Sequence, residues 1–221
     1  MTKVVVISPH PDDETLGCGG TILRHKNKKD IVHLLVFTDV FEKNGWNKKF
    51  VKSRRSEIDK LVKIYKLDSY TNLGIPTKEV DKIDLSILID KLDKILKKLK
   101  PEIIYFPYNN DIHSDHQIIS KVTAACIKPF RNSFVKKALM YEVLSETNFN
   151  ILDNNSFKPN YYINISAYIS KKLSILKIFK SEFKLHPFPR SIDAVKSLSI
   201  IRGSESNFKF AEAFKLIFYK K

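Results

Sequence analysis

Short, largely apolar runs alternate with helix-length amphipathic segments through the first half of this chain, and that alternation restricts it to an α/β architecture. Val4 to Ser8 is a β-branched run and Ile31 to Thr38 a second apolar one, each long enough for a strand buried on both faces. Between them, residues 14–28 place Leu16, Ile22 and Leu23 at roughly helical spacing, and Gly17, Gly19 and Gly20 would let that helix approach the sheet closely. The result is a βαβ unit, whose crossover is expected to be right-handed. The pattern repeats with a helix over Lys52 to Leu67, a short strand over Ser69 to Leu73, and a helix over Lys82 to Leu99 stopped by Pro101. A further buried strand, Glu102 to Pro107, leads through the turn Tyr108 to Ile112 into a helix from His113 to about Ile127. Beyond residue 135 the order loosens: strands at Ala138 to Val143 and Tyr161 to Ile165, a helix around Tyr168 to Phe183, and an Asn- and Asp-rich surface loop from Asn148 to Asn160. The expected fold is a single-domain Rossmann-like three-layer sandwich with a mostly parallel central sheet.

At 221 residues the chain can bury a real core, and residues 1–221 are taken as one domain. No apolar run approaches the roughly 20 residues that cross a bilayer, so no membrane span is expected. The opening MTKVVVISPH runs straight into a charged cluster without a small-residue cleavage site, as a first strand does and a signal peptide does not. Cys18 and Cys126 alone make no disulfide framework, which favours the cytoplasm.

The formal charge of +15, from 39 Lys and Arg against 24 Asp and Glu, could steer an anionic or nucleotide-linked substrate. It does not mark a nucleic-acid surface, because Lys91, Lys94, Lys97, Lys98 and Lys100 lie along helical faces rather than interleaved with exposed aromatics. GCGGT falls inside the first helix and does not form the GxGxxG turn of a nucleotide cofactor site. The sequence leaves a homo-oligomer open.

Chemistry concentrates at two strand ends. Ser8-Pro9-His10-Pro11-Asp12-Asp13-Glu14 follows the first strand at the carboxyl edge, where open α/β sheets bind ligands. Three adjacent acids repel one another unless a cation or hydrogen-bond donors offset them. Capping of the next helix would explain one or two of the acids, but not the histidine. The second cluster, Asp111-Ile112-His113-Ser114-Asp115-His116, follows the strand ending at Pro107 and sets two histidines on one helical face. If those two strands are neighbours at the sheet's switch point, both clusters converge on one crevice. A catalytic zinc takes three His, Asp or Glu ligands and keeps a position open for water, a count that His10, Asp13 and His116 satisfy. Asp12 is then free to accept a proton from that water. His113 is the candidate for the oxyanion's far side, with Asp115 holding its imidazole in the right tautomer and keeping it protonated.

Pro9-His10-Pro11-Asp12-Asp13-Glu14 and His113-Ser114-Asp115-His116 resemble, without substitution, the PHPDDE and HxDH motifs of the LmbE-like or PIG-L zinc-dependent N-deacetylases. The resemblance implies a Rossmann-like fold and removal of an N-acetyl group from an N-acetylglucosamine-type amino sugar conjugate, releasing acetate and free amine. It also implies His10, Asp13 and His116 as ligands of Zn²⁺ or another divalent ion such as Fe²⁺. Asp12 would be the base, and His113 the group that stabilises the oxyanion and protonates the leaving amine. Weaker likeness appears at Arg54 with Glu57, at Pro189-Arg190-Ser191, at Arg202-Gly203 and at Ala211-Glu212-Ala213-Phe214. Arg54 and Arg190 are candidate substrate contacts, with surface salt bridges as the alternative. The membrane-anchored members of the family carry a hydrophobic segment not found here, which points to a soluble small-molecule substrate.

Trp46, in the polar loop from Asp39 to Phe50, is a candidate lid that stacks on a sugar. Two other readings compete. A non-heme iron(II) oxygenase would use the same His/Asp/His set, but on a jelly-roll barrel with an HxD pair rather than HxxD at a strand-to-helix turn. A basic metal-containing binding protein without catalysis would leave Asp12 and His113 without a role.

Overall fold

The computed structural model describes residues 1–149 and 156–221. Each apolar run of the first half becomes a strand: β1 (Lys3–Ser8), β2 (Ile31–Asp39), β3 (Ser69–Pro76), β4 (Ile103–Pro107) and β5 (Lys137–Tyr141). They alternate with helices α1 (Asp13–Asn27), α2 (Lys48–Tyr65), α3 (Leu85–Leu99) and α4 (Ser114–Cys126). β6 (Tyr161–Asn164), α5 (Ile169–Leu176), α6 (Ile192–Ser204) and β7 (Ala211–Tyr219) complete the described strands and α-helices. The strands form one sheet in the order β3-β2-β1-β4-β5-β7-β6. β1 to β5 run parallel, and β7 pairs antiparallel with both β5 and β6.

The central strands are largely apolar because helices cover both faces. Val4 and Val6 of β1 point into a core shared with α1, α2, α5 and α6, whereas Val5 and Ile7 point into a second core closed by α3 and α4. This is the expected three-layer Rossmann-like sandwich. β1 sits between β2 and β4, with Val6 level with Tyr105, so the chain leaves β1 in one direction and returns on its other side. That reversal opens a crevice at the carboxyl ends of β1 and β4.

Several boundaries differ from the sequence reading. α2 begins four residues early because the Asn47 side chain accepts from Phe50 N–H (2.7 Å) and caps it. The helix expected over Tyr168 to Phe183 is only α5, and the chain turns irregularly after it. α6 and β7 lack the periodicity that would announce them. Of the loop expected over 148–160, residues 150–155 lie outside the described ones. Among the described residues no helix is long and apolar enough to cross a membrane.

α1 departs from helical geometry at Cys18 (φ −143°, ψ 24°), within its run of glycines. Gly17 and Gly20 are required there: a Cβ on Gly17 would lie 2.2 Å from the Tyr141 ring, and one on Gly20 would lie 2.6 Å from Ile165. In an unbroken helix Gly20 N–H would reach Leu16 C=O. Here Glu212 of β7 accepts from Gly20 N–H and Thr21 N–H (both 2.8 Å), while Lys172 of α5 donates to Leu16 C=O (2.8 Å). Lys172 and Glu212 also pair with each other at 2.7 Å, both almost fully buried. A buried ion pair thus serves both sides of the kink.

Candidate active site

The loop after β1 is built by Glu14. Its carboxylate accepts from Asp12 N–H (3.1 Å), Ser8 Oγ (3.2 Å) and Thr15 Oγ1 (2.6 Å), tying loop, strand and helix together. Asp12 occupies the N-cap of α1, where its carbonyl accepts from Thr15 and Leu16 N–H, but its side chain makes no cap hydrogen bond. Capping therefore does not account for the Asp12 carboxylate. Asp12 also holds φ 131°, a region L-residues rarely adopt and one concentrated at functional sites.

After β4, His113 caps α4: its Nδ1 accepts from Asp115 N–H (3.1 Å). One turn on, His116 points to the same crevice as His10. His10 Nδ1, Asp13 Oδ2 and His116 Nε2 form a triangle with edges of 3.2, 3.1 and 3.3 Å. Donors of a tetrahedral zinc bound at about 2.0–2.1 Å stand about 3.3–3.4 Å apart, so this set fits such an ion with little adjustment. Among the described residues a second group, His10, His113 and Asp115, also has ligand atoms within 4.8 Å of one another, but it lacks three such short edges.

Both histidines of the triangle are backed by carboxylates. His116 Nδ1 lies 2.8 Å from Asp111 Oδ2, and Asp111 is itself held by Thr147 Oγ1 at 2.6 Å. His10 Nε2 lies 3.0 Å from Asp115 Oδ2, which also accepts from Lys78 N–H (2.9 Å). Here the structure departs from the sequence reading of Asp115. Its carboxylate orients His10, and only its backbone N–H sets the His113 tautomer, because an N-cap side chain meets the N–H two residues on. Asp111 was present in the second cluster but carried no assigned role. Replacing it with Asn should weaken metal affinity by about 10–100-fold. Competition against a chromogenic chelator would measure this, and unchanged affinity would count against Asp111 as the orienting partner.

The field of these carboxylates favours positive charge. Burial would depress the His10 imidazole, but its bonds to Asp115 and Asp13 outweigh burial and raise it to about 9. Asp13 is held well below the usual carboxylate range by His116 and His10, against the opposing effect of burial. Burial, and then the charges of Asp13 and Glu182, push Asp12 well upward, with Arg190 and Arg54 pulling the other way. His113 falls to about 4 through burial and the nearby charges of His10 and His116. It is therefore neutral at pH 7 rather than protonated, and with Nδ1 accepting, its hydrogen sits on Nε2.

His10, Asp12, Asp13 and His113 face a cavity of about 290 Å³. Arg54 also lines it but is buried and committed: it donates to Pro11 C=O (3.2 Å) and Ser181 Oγ (3.3 Å) and pairs with Glu182. It supports the loop after β1 and is no surface salt bridge. Arg190 pairs loosely with Asp12 (3.5 Å) and Glu182 (3.4 Å), and its buried Nε has no partner. Trp46 stands at the cavity wall, stacked on Phe50 with ring centroids 4.8 Å apart. Sequence reasoning missed Glu182, Glu146 and Lys78, which also line the cavity and come from segments without any motif.

The later motifs are structural. Ser191 caps α6 by accepting from Ala194 N–H, and Arg202 grips Glu142 through two hydrogen bonds of 2.8 and 2.7 Å. Glu212 is the residue that holds α1.

Known proteins resemble this chain in sequence, in fold or in both. A diacetylchitobiose deacetylase of Thermococcus kodakarensis is 26% identical, over 98% of this chain and 84% of its own. The crystal structure of the conserved protein TT1542 from Thermus thermophilus superposes with a TM-score of 0.78 at 26% identity, covering 100% of this chain and 98% of that one. The 4-carboxy-2-hydroxymuconate hydratase of Pseudomonas putida shares the fold alone, with a TM-score of 0.75 at 14% identity over 100% and 98% of the two chains. The profile of the PIG-L family, GlcNAc-PI de-N-acetylase, matches residues 5–127, the span that carries both strand-end clusters, and the chain belongs to that family.

Proposed function

We propose that the protein is a metal-dependent hydrolase that removes the N-acetyl group from an N-acetylglucosamine-type conjugate, releasing acetate and a free amine. The observation that carries this is the His10–Asp13–His116 triangle, whose His10 and Asp13 share a cavity with an Asp12 carboxylate that neither caps a helix nor belongs to the triangle. His10, Asp13 and His116 would hold a divalent ion, zinc or another such as Fe²⁺, whose Lewis acidity would polarise the amide carbonyl and acidify a water. Asp12 takes the proton of the attacking water and returns it to the amine nitrogen as the C–N bond breaks. Burial and the charges of Asp13 and Glu182 raise its proton affinity, which makes it a stronger base than an exposed carboxylate. His113 directs Nε2–H toward the oxygen that gains negative charge, and a neutral donor of this kind stabilises an oxyanion without first losing a proton. Asp111 and Asp115 keep His116 and His10 in their binding orientation.

The fold leaves the reaction open, since it is shared with a hydratase. The pairing of a base with an oxyanion donor across the triangle favours amide hydrolysis, and the similarity to a diacetylchitobiose deacetylase favours an acetamido sugar. At about 290 Å³ the cavity is at the small end of ligand sites, so it encloses the acetamido sugar and leaves the rest of the conjugate at the rim. There an anionic group would meet Arg190 and Lys78, while Trp46 offers a face to the sugar ring. Amine release from a panel of N-acetylglucosamine conjugates, with the protein's metal measured by elemental analysis, tests the reading. Failure to hydrolyse any member with either Zn²⁺ or Fe²⁺ supplied would overturn it.

A further inference from the structure

A second cavity, of about 370 Å³, lies at the opposite edge of the sheet, where β1, β4 and β5 begin and α1 ends. Its charged walls are unbalanced. Arg24 and Lys28 come from the end of α1 and Lys137 from the start of β5. None of the three has a carboxylate partner among the described residues, and the Lys137 ammonium instead meets Tyr161 Oη at 3.0 Å and the rings of Tyr161 and Tyr219. The one acid in the wall, Asp30, is already satisfied: it accepts from Thr2 N–H (2.9 Å) and pairs with His25 Nδ1 (2.8 Å). His25 reaches the Tyr105 hydroxyl with its other nitrogen (3.0 Å). Thr21, also in the wall, has a buried hydroxyl without a hydrogen-bond partner.

Basic residues are ordinary in a helix's last turn, where they complement its dipole. That accounts for Arg24 and Lys28, but neither for Lys137, which arrives from another element, nor for the unmet Thr21 hydroxyl. Convergent cations without counter-ions are the recognition chemistry of a phosphate. The cavity is much larger than a bare oxyanion, and Tyr161 and Ile163 provide apolar wall for a carbon skeleton. We propose that this cavity binds a small organic phosphate, with the phosphoryl oxygens held by Arg24, Lys28 and Lys137 and the organic body resting against Tyr161 and Ile163.

Calorimetric titration of the metal-loaded protein with glucose 6-phosphate, inorganic phosphate and glucose tests this. Glucose 6-phosphate should bind and glucose should not. Arg24→Ala and Lys137→Met should each weaken binding by about tenfold, and Lys28→Ala, at an exposed position with no partner to disturb, by several-fold. Removal of the metal by chelation, and Arg190→Ala at the rim of the metal site, should each leave it unchanged, which separates this cavity from the metal site. No binding at millimolar concentration, or affinity unaltered in Arg24→Ala, Lys137→Met and Lys28→Ala, would overturn the assignment. Equal affinity for inorganic phosphate would overturn its organic part.

Discussion

Replacing Asp12 with Asn should lower turnover by about 10²–10⁴-fold while the bound metal stays at its wild-type amount. The carboxylate neither caps α1 nor belongs to the His10–Asp13–His116 triangle, so neither folding nor metal binding depends on its charge. Asn keeps the side chain's shape and is among the residues most tolerant of positive φ, which Ala is not. The comparison thereby isolates proton transfer from backbone strain. Initial rates of amine release, metal content and melting temperature, measured on one preparation, settle it. Near-wild-type turnover with full metal content would rule Asp12 out as the base.

The largest expected loss of stability lies far from that loop. Glu212→Ala leaves the Lys172 ammonium buried without its partner, and strips Gly20 N–H and Thr21 N–H of their acceptor at the kink of α1. Breaking a buried pair from one side costs about 3–5 kcal/mol. For a chain of this size that corresponds to a fall of roughly 6–20 °C in melting temperature. Replacing both partners, Glu212→Leu with Lys172→Met, should recover part of the loss, since no charge is then stranded. A change of only 1–2 °C in Glu212→Ala, followed by circular dichroism, would show that the kink does not rely on the pair.

The parallel half of the fold could be read from the sequence because its strands are buried on both faces. Val4 to Ile7 and Leu34 to Phe37 are apolar without interruption, a signal that survives without any partner in view. The last quarter was less legible. α6 carries no clear apolar stripe, and β7 opens on Ala211-Glu212-Ala213, whose burial follows from what α1 and α5 bring to it. At the active site, residue types and spacing identified His10, Asp13 and His116 as a candidate set, and parallel pairing of β1 with β4 brings them together. Spacing could not reveal which way a carboxylate turns. Asp115 was read as a partner of His113 from proximity in sequence, whereas helix capping spends its N–H there and sends its carboxylate to His10. Glu182 and Arg54 meet from positions 128 apart, and nothing local to either announces the other.

The meeting of His10 and His116 also makes the site a cross-link. They stand 106 positions apart, and an ion that binds both closes a loop of that length, as a disulfide would. In the polymer description of such closures, loops of about 100 residues take about 4.7 kcal/mol of chain entropy from the unfolded state. A metal tie differs in being reversible, so the gain grows with free ion as RT ln(1 + [L]/Kd). The unfolding midpoint should therefore climb with added Zn²⁺ and fall on chelation in a calorimetric scan. Ranking divalent ions by that shift would give the site's preference with no substrate in hand, and a midpoint indifferent to every ion would mean that the loop is never tied.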